Sequence, residues 1–249
     1  MNILELFTKH KKIFITGTDT EVGKTYCASL IVKDLFKNGL DVFPFKPISA
    51  GTISYIEPSD TMSKTTLKSN VTKSHNVDRT SGHNFNKANE DAISLFDAVQ
   101  NRYSLDQINP IVFQQPIAPH IAAKLENKTL DFKLLNNVFN NVDTLGDVQI
   151  IEGAGGWHLP LNNTELLSDW VALKKLPVIL VVGIKLGCLN HALLTAQAIE
   201  QSGCELIGWI ANFIGGENDI ARENLAFLQQ KLTAPLITQI KQGQTEVLL

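Results

Sequence analysis

The chain has 249 residues, 44% hydrophobic and 19% charged, enough to bury the core of one α/β domain and short for two. A formal net charge of −3 provides no basic field for nucleic acid or an anionic membrane, so small molecules or another protein are the expected partners. Three widely spaced cysteines (Cys27, Cys188 and Cys204), without a CxxC or a Cys/His cluster, exclude a disulfide framework and a structural zinc site.

The opening MNILELFTKHKK does not read as a signal peptide, and the longest apolar stretch, residues 176–184, is too short to span a bilayer. With the cysteine usage, this leads to the expectation of a cytoplasmic protein. Apolar, β-branched runs then predict strands at residues 12–16, 41–46, 148–152, 177–183 and 206–212. Helical patterns lie between them at residues 24–38, 92–100, 190–201 and 219–232. Near-continuous Val, Ile and Leu runs point to strands buried on both faces of a parallel sheet. The expected fold class is therefore α/β, a single doubly wound domain over residues 1–249 with helices on both faces. Residues 52–89 break the rhythm. They are polar, lack an apolar period, and read as a mobile or partly disordered surface insertion.

The first strand runs into GTDTEVGKT (residues 17–25) and then a helix. Glycines let backbone N–H groups turn inward, and a helix N-terminus adds partial positive charge, so the segment suits a phosphate chain. Lys24 can reach the outer phosphates and the Thr25 hydroxyl can ligate Mg²⁺. Five residues separate Gly17 from Gly23, one more than the usual spacing, so Thr18 stands where the first glycine normally does. Asp19 and Glu21 are unusual beside phosphates; they suit an outward, amine-facing position, or Glu21 is a first-turn acid of the helix.

Lys46 ends the second strand, where a second cation can stabilise charge on a transferring phosphoryl group; the alternative is a solvated strand-end lysine. Glu152 ends a buried strand and precedes Gly153, Ala154 and Gly155, the position of a magnesium-binding acid in phosphate-loop proteins. Asp91 reads equally as a helix-start acid or a site residue. Gly187, Cys188, Leu189 and Asn190 open a helix whose free N–H groups suit a carboxylate. Cys188, His120 and His191 read as packing residues.

Taken together these segments resemble the dethiobiotin synthetase family. The resemblance rests on GTDTEVGKT, FKPISAG (45–51), NEDA (89–92), PIAPHIAA (116–123), IIEGAGGW (150–157), the 177–199 segment containing KLGCLNHALLTAQ, and GWIAN (208–212). It implies a P-loop ligase that uses ATP, Mg²⁺ and CO₂ to close a ureido ring on 7,8-diaminononanoate. Lys24 and Lys46 would then be the catalytic cations, and Thr25, Asp91 and Glu152 would surround the metal. Glu21, Val22, Gly23, Tyr26, Gly153, Ala154 and Gly155 would border the nucleotide, with Asn212, Ala234 and Pro235 at the adenine. Thr20, Ser49 and Ala50 would contact the diamine, and residues 187–190 its tail carboxylate across a homodimer interface.

The chain departs from the family pattern in three places. Ala50 stands where a substrate-contacting serine is expected, the 52–89 insertion is long and carries a rival acid in Asp60, and the C-terminal LITQIKQGQTEVLL lacks an Ile-Pro after Gln239. Two other readings remain at this stage: a partitioning-type ATPase switch, against which the absence of an early loop lysine counts, and a nucleotide-binding paralogue without synthetase activity.

Overall fold

The apolar runs form strands of one parallel sheet, and the structure adds elements too short or too polar to show a period. A computed structural model describes residues 3–55 and 86–247. In the first segment α1 (Ile3–Lys9) precedes β1 (Lys12–Gly17), α2 (Lys24–Lys37), β2 (Val42–Phe45), β3 (Ile48–Ala50) and β4 (Ile53–Tyr55). Then come β5 (Asn86–Ala88), α3 (Glu90–Ala98), α4 (Leu105–Ile108), β6 (Ile111–Phe113), α5 (Pro119–Leu125), α6 (Phe132–Asn141) and β7 (Val148–Glu152). The remainder holds α7 (Leu167–Leu173), β8 (Val178–Gly183), α8 (Cys188–Gln201), β9 (Leu206–Phe213), α9 (Asp219–Lys231) and β10 (Leu236–Lys241).

Six strands make a fully parallel sheet in the order β10-β9-β8-β1-β7-β2. Every residue of β8 and all but the first of β1 are buried, as interior strands covered on both faces must be. Pro44 is tolerated within β2 because β2 is the sheet edge, paired only to β7. From β1 the chain passes through α2 to β2 on one side, whereas from β8 it steps through α8 and α9 to the other. Right-handed crossovers in opposite directions put α2 on one face and α8 and α9 on the other. The doubly wound α/β fold is thus established.

One hydrophobic cluster extends from Leu6 to Val247, with Trp170, Trp209, Phe14 and Phe43 among its fully buried side chains. In α8 the buried residues Cys188, Ala192, Ala196 and Ile199 follow a helical stripe, and three of the four are small, so the helix lies close on its neighbours. All three cysteines are buried and free. Among the described residues no helix is long and apolar enough to cross a membrane.

Several elements differ from the sequence expectations. β10 lies in the C-terminal segment, for which the sequence offered no strand; three of its six residues are half-buried, they show no continuous apolar run, and pairing with β9 makes it a strand. The ends of the 52–89 insertion are not loop: β4 and β5 pair antiparallel from Ile53↔Ala88 to Tyr55↔Asn86. Tyr55 and Ala88 pack with Ile93 in a small separate cluster. The expected disorder and Asp60 fall on residues 56–85, outside those described. β3 and β6 pair as a separate parallel two-stranded sheet, each only three residues long. α8 begins at Cys188, two residues before the expected start.

Gly208 marks a close approach between β9 and the chain entering β10. A Cβ there would lie 2.5 Å from Ile237 Cγ1 and 3.1 Å from the Pro235 carbonyl oxygen, beside the register shift between Leu236 and Thr238. Gly208→Ala is therefore expected to destabilise the protein by about 1–3 kcal/mol, read from denaturant unfolding. An unchanged midpoint would show that β10 is not held at this spacing.

Candidate active site

Because the main sheet is fully parallel, the C-terminal ends of its strands share one edge. The register pairs Ile15 with Glu152, Phe45 with Ile151, Gly17 with Val181, and Gly183 with Asn212. Four loops leaving β1, β2, β7 and β8 thus start side by side. Between β1 and β8 the connections diverge in opposite directions, which opens the crevice where ligands bind in such sheets.

The β1–α2 loop is built around two glycines. A Cβ on Gly17 would lie 2.6 Å from Val22 Cγ2 and 2.9 Å from Lys24 Cγ. Gly23, at φ 81°, is the N-cap of α2 and offers no side-chain cap, so the first N–H groups of the helix remain free to meet an anion. A Cβ on Gly23 would fall 2.1 Å from Asn212 Nδ2, whose amide donates to the Val22 carbonyl at 2.9 Å. Asn212 therefore ties the loop to β9 and is 3% exposed. Val22 is buried beneath the loop, while Glu21 is exposed at φ 57°. Glu21 lies before the N-cap and α2 has no acid in its first turn, so the reading of it as a first-turn acid is corrected.

Four of the expected residues meet at one point. Lys46, 3% exposed, places its Nζ 2.7 Å from Glu152 Oε1 and 3.0 Å from Asp91 Oδ2. Thr25 Oγ1 donates to the same Glu152 oxygen at 2.5 Å. The solvated-lysine alternative for Lys46 is thereby excluded. Asp91 is not the helix cap: Asn89 caps α3, accepting from Asp91 N at 3.2 Å and donating to the Gly51 carbonyl at 2.9 Å. Asn89 thus holds Asp91 over the end of β3, a role without a local sequence signal beyond its capping preference.

Charges in this cluster set one another. Burial alone would lower the Lys46 ammonium, but attraction to Glu152 and Asp91 and the hydrogen bonds it donates to both hold it above its ordinary value. Burial would raise Asp91, yet the Lys46 charge, its hydrogen bond and that of Thr25 keep it below the usual carboxylate range. Lys24 goes the other way. Burial, opposed by Glu152 and helped by repulsion from Lys46, pushes it down to about 8. Its Nζ donates to the carbonyl of Asp19 at 2.8 Å, within its own loop.

The other expected residues stand further from this cluster or differently. Gly155 has φ 65°, and a Cβ there would lie 3.9 Å from Thr20 Cγ2, so the loop after β7 abuts the phosphate loop. Gly153 is confined by Phe14, 2.9 Å from a would-be Cβ. Ala154 is half-buried beside it. The Ser49 hydroxyl is committed to Asn109 Oδ1 at 2.6 Å in the interior, and Ala50 is half-buried. Tyr26 donates to the Gln244 carbonyl and faces the C-terminal turn. Pro235 is exposed, its carbonyl taken by Trp209 N at 3.0 Å, and Ala234 is buried. Gly187, at φ 89°, is the N-cap of α8; Cys188 is buried and Asn190 exposed. Leu189 is half-buried, and among the described residues no hydrogen bond or ion pair links residues 187–190 to the Lys46 cluster.

A lysine attracts phosphate oxygens strongly only when charged, which makes the expected role of Lys24 testable. In the ligand-free protein it loses its proton near 8 while an unfolded chain holds it to about 10.5. Its burial penalty on stability is therefore full below pH 8 and is relieved between those values. Without divalent metal, affinity for a nucleoside triphosphate is expected to stay level below about pH 7.5 and to fall toward roughly tenfold per unit above about 8. Calorimetric titration checks this; a flat profile to about pH 9.5 would reject the role of Lys24.

Comparison with known proteins agrees with this arrangement. An AAA domain family model matches residues 11–245. The ATP-dependent dethiobiotin synthetase BioD of Vibrio cholerae is 38% identical over 228 residues, spanning 92% of this chain and 87% of the relative. Its counterparts from Baumannia cicadellinicola and Pseudoalteromonas translucida are 39% and 38% identical, spanning 92% and 91% of this chain and 90% and 88% of theirs. A solved ParA family ATPase from Chlorobium tepidum, at 15% identity and a TM-score of 0.47 over 94% of this chain and 86% of its own, is too distant to bear on function. At this identity over nine-tenths of its length, and with the phosphate loop, Lys46 and Glu152 assembled on one sheet edge, the chain belongs to the dethiobiotin synthetase family.

Proposed function

We propose that this chain converts 7,8-diaminononanoate, CO₂ and ATP into dethiobiotin, ADP and phosphate. The observation that carries the reading is the buried Lys46 ammonium, delivered by β2 to the carboxylates beside the phosphate loop. One substrate amine adds to CO₂ and loses a proton, giving a carbamate. A carbamate oxygen attacks the γ-phosphorus and ADP leaves, forming a carbamic–phosphoric anhydride. The second amine attacks the carbamate carbon, loses a proton, and expels phosphate as the ureido ring closes. Lys24 and Lys46 stabilise the negative charge that moves between carbamate and phosphate, and the site holds the reactants in line.

Thr25, Asp91 and Glu152 are suited to hold Mg²⁺. Glu152 Oε2 is buried without a hydrogen-bond partner, an orphan that a cation would satisfy. Among the described residues no three His, Cys, Asp or Glu side chains gather. Two carboxylates and a hydroxyl nonetheless match an ion that takes oxygen ligands and keeps waters and phosphate oxygens for the rest. Held by these residues, the ion would supply positive charge to offset that of the phosphate chain.

Glu21, Val22, Gly23, Tyr26, Gly153, Ala154 and Gly155 border the nucleotide in this reading. Asn212 and the backbone at Ala234 and Pro235 flank its base; the position of Asn212 against Gly23 supports that side. Thr20 and Ala50 face the diamine. Ser49, bonded inward to Asn109, contacts substrate only if that bond breaks. The free N–H groups of residues 187–190 receive the tail carboxylate. Leu186, 99% exposed, and Leu194 flank that helix start and favour a homodimer closing over it. The enzyme would act in the cytoplasm.

Phosphate release from ATP, measured with and without the diamine and bicarbonate, tests the reading. Turnover is expected only with both; hydrolysis indifferent to the diamine would favour a switch ATPase instead. Lys46→Ala should lower turnover by about a hundredfold or more with the fold kept, and near-normal rates would reject its role. In the parent enzyme, chelation of Mg²⁺ should abolish turnover reversibly; activity persisting in excess chelator would sink the metal assignment.

A further inference from the structure

Lys46 sits where no main-sheet ladder serves its backbone. β2 ends at Phe45 and β3 begins at Ile48, so Lys46 and Pro47 carry the chain from one sheet to the other. Buried peptide groups in such a gap need partners from elsewhere. One short segment supplies them. Lys46 N donates to the Ile108 carbonyl at 2.8 Å, and Asn109 Nδ2 donates to the Lys46 carbonyl at 2.6 Å. Ile111 N then donates to the Pro47 carbonyl at 3.2 Å.

Asn109 is 4% exposed, and its Oδ1 accepts from Ser49 Oγ, which fixes the way its carboxamide faces. Its own backbone is constrained from both sides. A capping box between Ser104 and Gln107 starts α4, and Pro110 disfavours a helical conformation at Asn109, whose φ and ψ are −135° and 75°. Ser49, Asn109 and the Lys46 carbonyl thus form a relay of two hydrogen bonds with no exposed member.

We propose that Asn109 is a positioning residue for the reaction, acting through the main chain of Lys46. The proposal rests on the assignment of Lys46 as the cation that stabilises phosphoryl transfer. An ammonium on a four-carbon stem reaches one point reproducibly only when its Cα is fixed, and displacements near 1 Å can cost about a hundredfold in rate. The hydrogen bond from Lys46 N to the Ile108 carbonyl and that from the Asn109 carboxamide to the Lys46 carbonyl provide that fixing, one on each side of the Lys46 Cα. The Asn109 carboxamide is buried and bonded to Ser49 and to the Lys46 carbonyl, with no bond to the phosphate loop, so its loss should alter the rate of the chemical step rather than nucleotide binding.

The test is Asn109→Ala in the full-length enzyme, with kcat, KM for the diamine and affinity for ADP measured together. A fall in kcat of about tenfold or more, with ADP affinity within about twofold of the parent, is expected. A kcat per folded molecule within about twofold of the parent overturns the proposal, as does a loss confined to KM. If the alanine variant does not fold, Asn109→Leu keeps a similar volume while removing the donor to the Lys46 carbonyl. The same split between kcat and affinity is read from it. Lys46→Ala measured alongside separates the two ways of failing. Normal turnover in that variant defeats the Lys46 assignment itself; an inactive Lys46→Ala with fully active Asn109 variants defeats only the positioning role.

Discussion

The buried pair of Lys46 and Glu152 is the constraint on which the rest of the site depends. A lysine 3% exposed and a glutamate 1% exposed are sustainable only in each other's company, because one left alone in the interior costs about 3–5 kcal/mol. The pair exists because β2 and β7 lie side by side in register, so that the residue after one strand meets the last residue of the other. Asp91 and Thr25 then complete it from α3 and α2, elements far apart in sequence. The pair also explains why Lys46 stays charged although burial opposes it.

Around this pair the molecule divides its two lysines by environment. Lys46 is surrounded by carboxylates and kept protonated, whereas Lys24, beside Lys46 and turned onto a loop carbonyl, is pushed down to about 8. An incoming phosphate chain offers Lys24 the negative partner it lacks and competes with the Asp19 carbonyl for it. Glu152 shows the same preparation from the other side, with one oxygen committed to Thr25 and Lys46 and the other buried without a partner. The ligand-free site thus presents a cation short of anions and an anion short of cations. That is the electrostatic state a nucleotide and its metal would resolve together.

Loop geometry is held by packing from outside the loop. Gly23 is required less for the turn alone than because Asn212 approaches within 2.1 Å of where a Cβ would be, and that approach bonds Asn212 to Val22. Asn89 and Asn109 do comparable work for Asp91 and Lys46, each bonding with its carboxamide to main chain that lacks a ladder partner. Three asparagines, at the end of β9, the start of α3 and the end of α4, hold the phosphate loop, the second carboxylate and the second lysine.

The five strands and four helices with strong periodicity were legible in the chain, because a parallel sheet buried on both faces demands continuous apolar runs. Likewise the Gly-Lys-Thr at a strand–helix junction, the strand-end Lys46 and the strand-end Glu152 were readable as candidates, since each is a local pattern with a local physical meaning. What local sequence left open was settled by distance. Asp91 is a first-turn acid of α3, as its local sequence allowed, and only the fold brings it 3.0 Å from Lys46. The inward hydrogen bond of the Ser49 hydroxyl to Asn109 had no local signal either. β3, β6 and β10 carried no readable period, being three residues long or only half-buried, and became strands through their partners. The sequence by itself determined the fold class and which residue types could do the chemistry, because periodicity and motif spacing are local. Only the tertiary structure decided which of them meet, because the strand order places residues 25, 46, 91 and 152 at one point and no local pattern encodes that order.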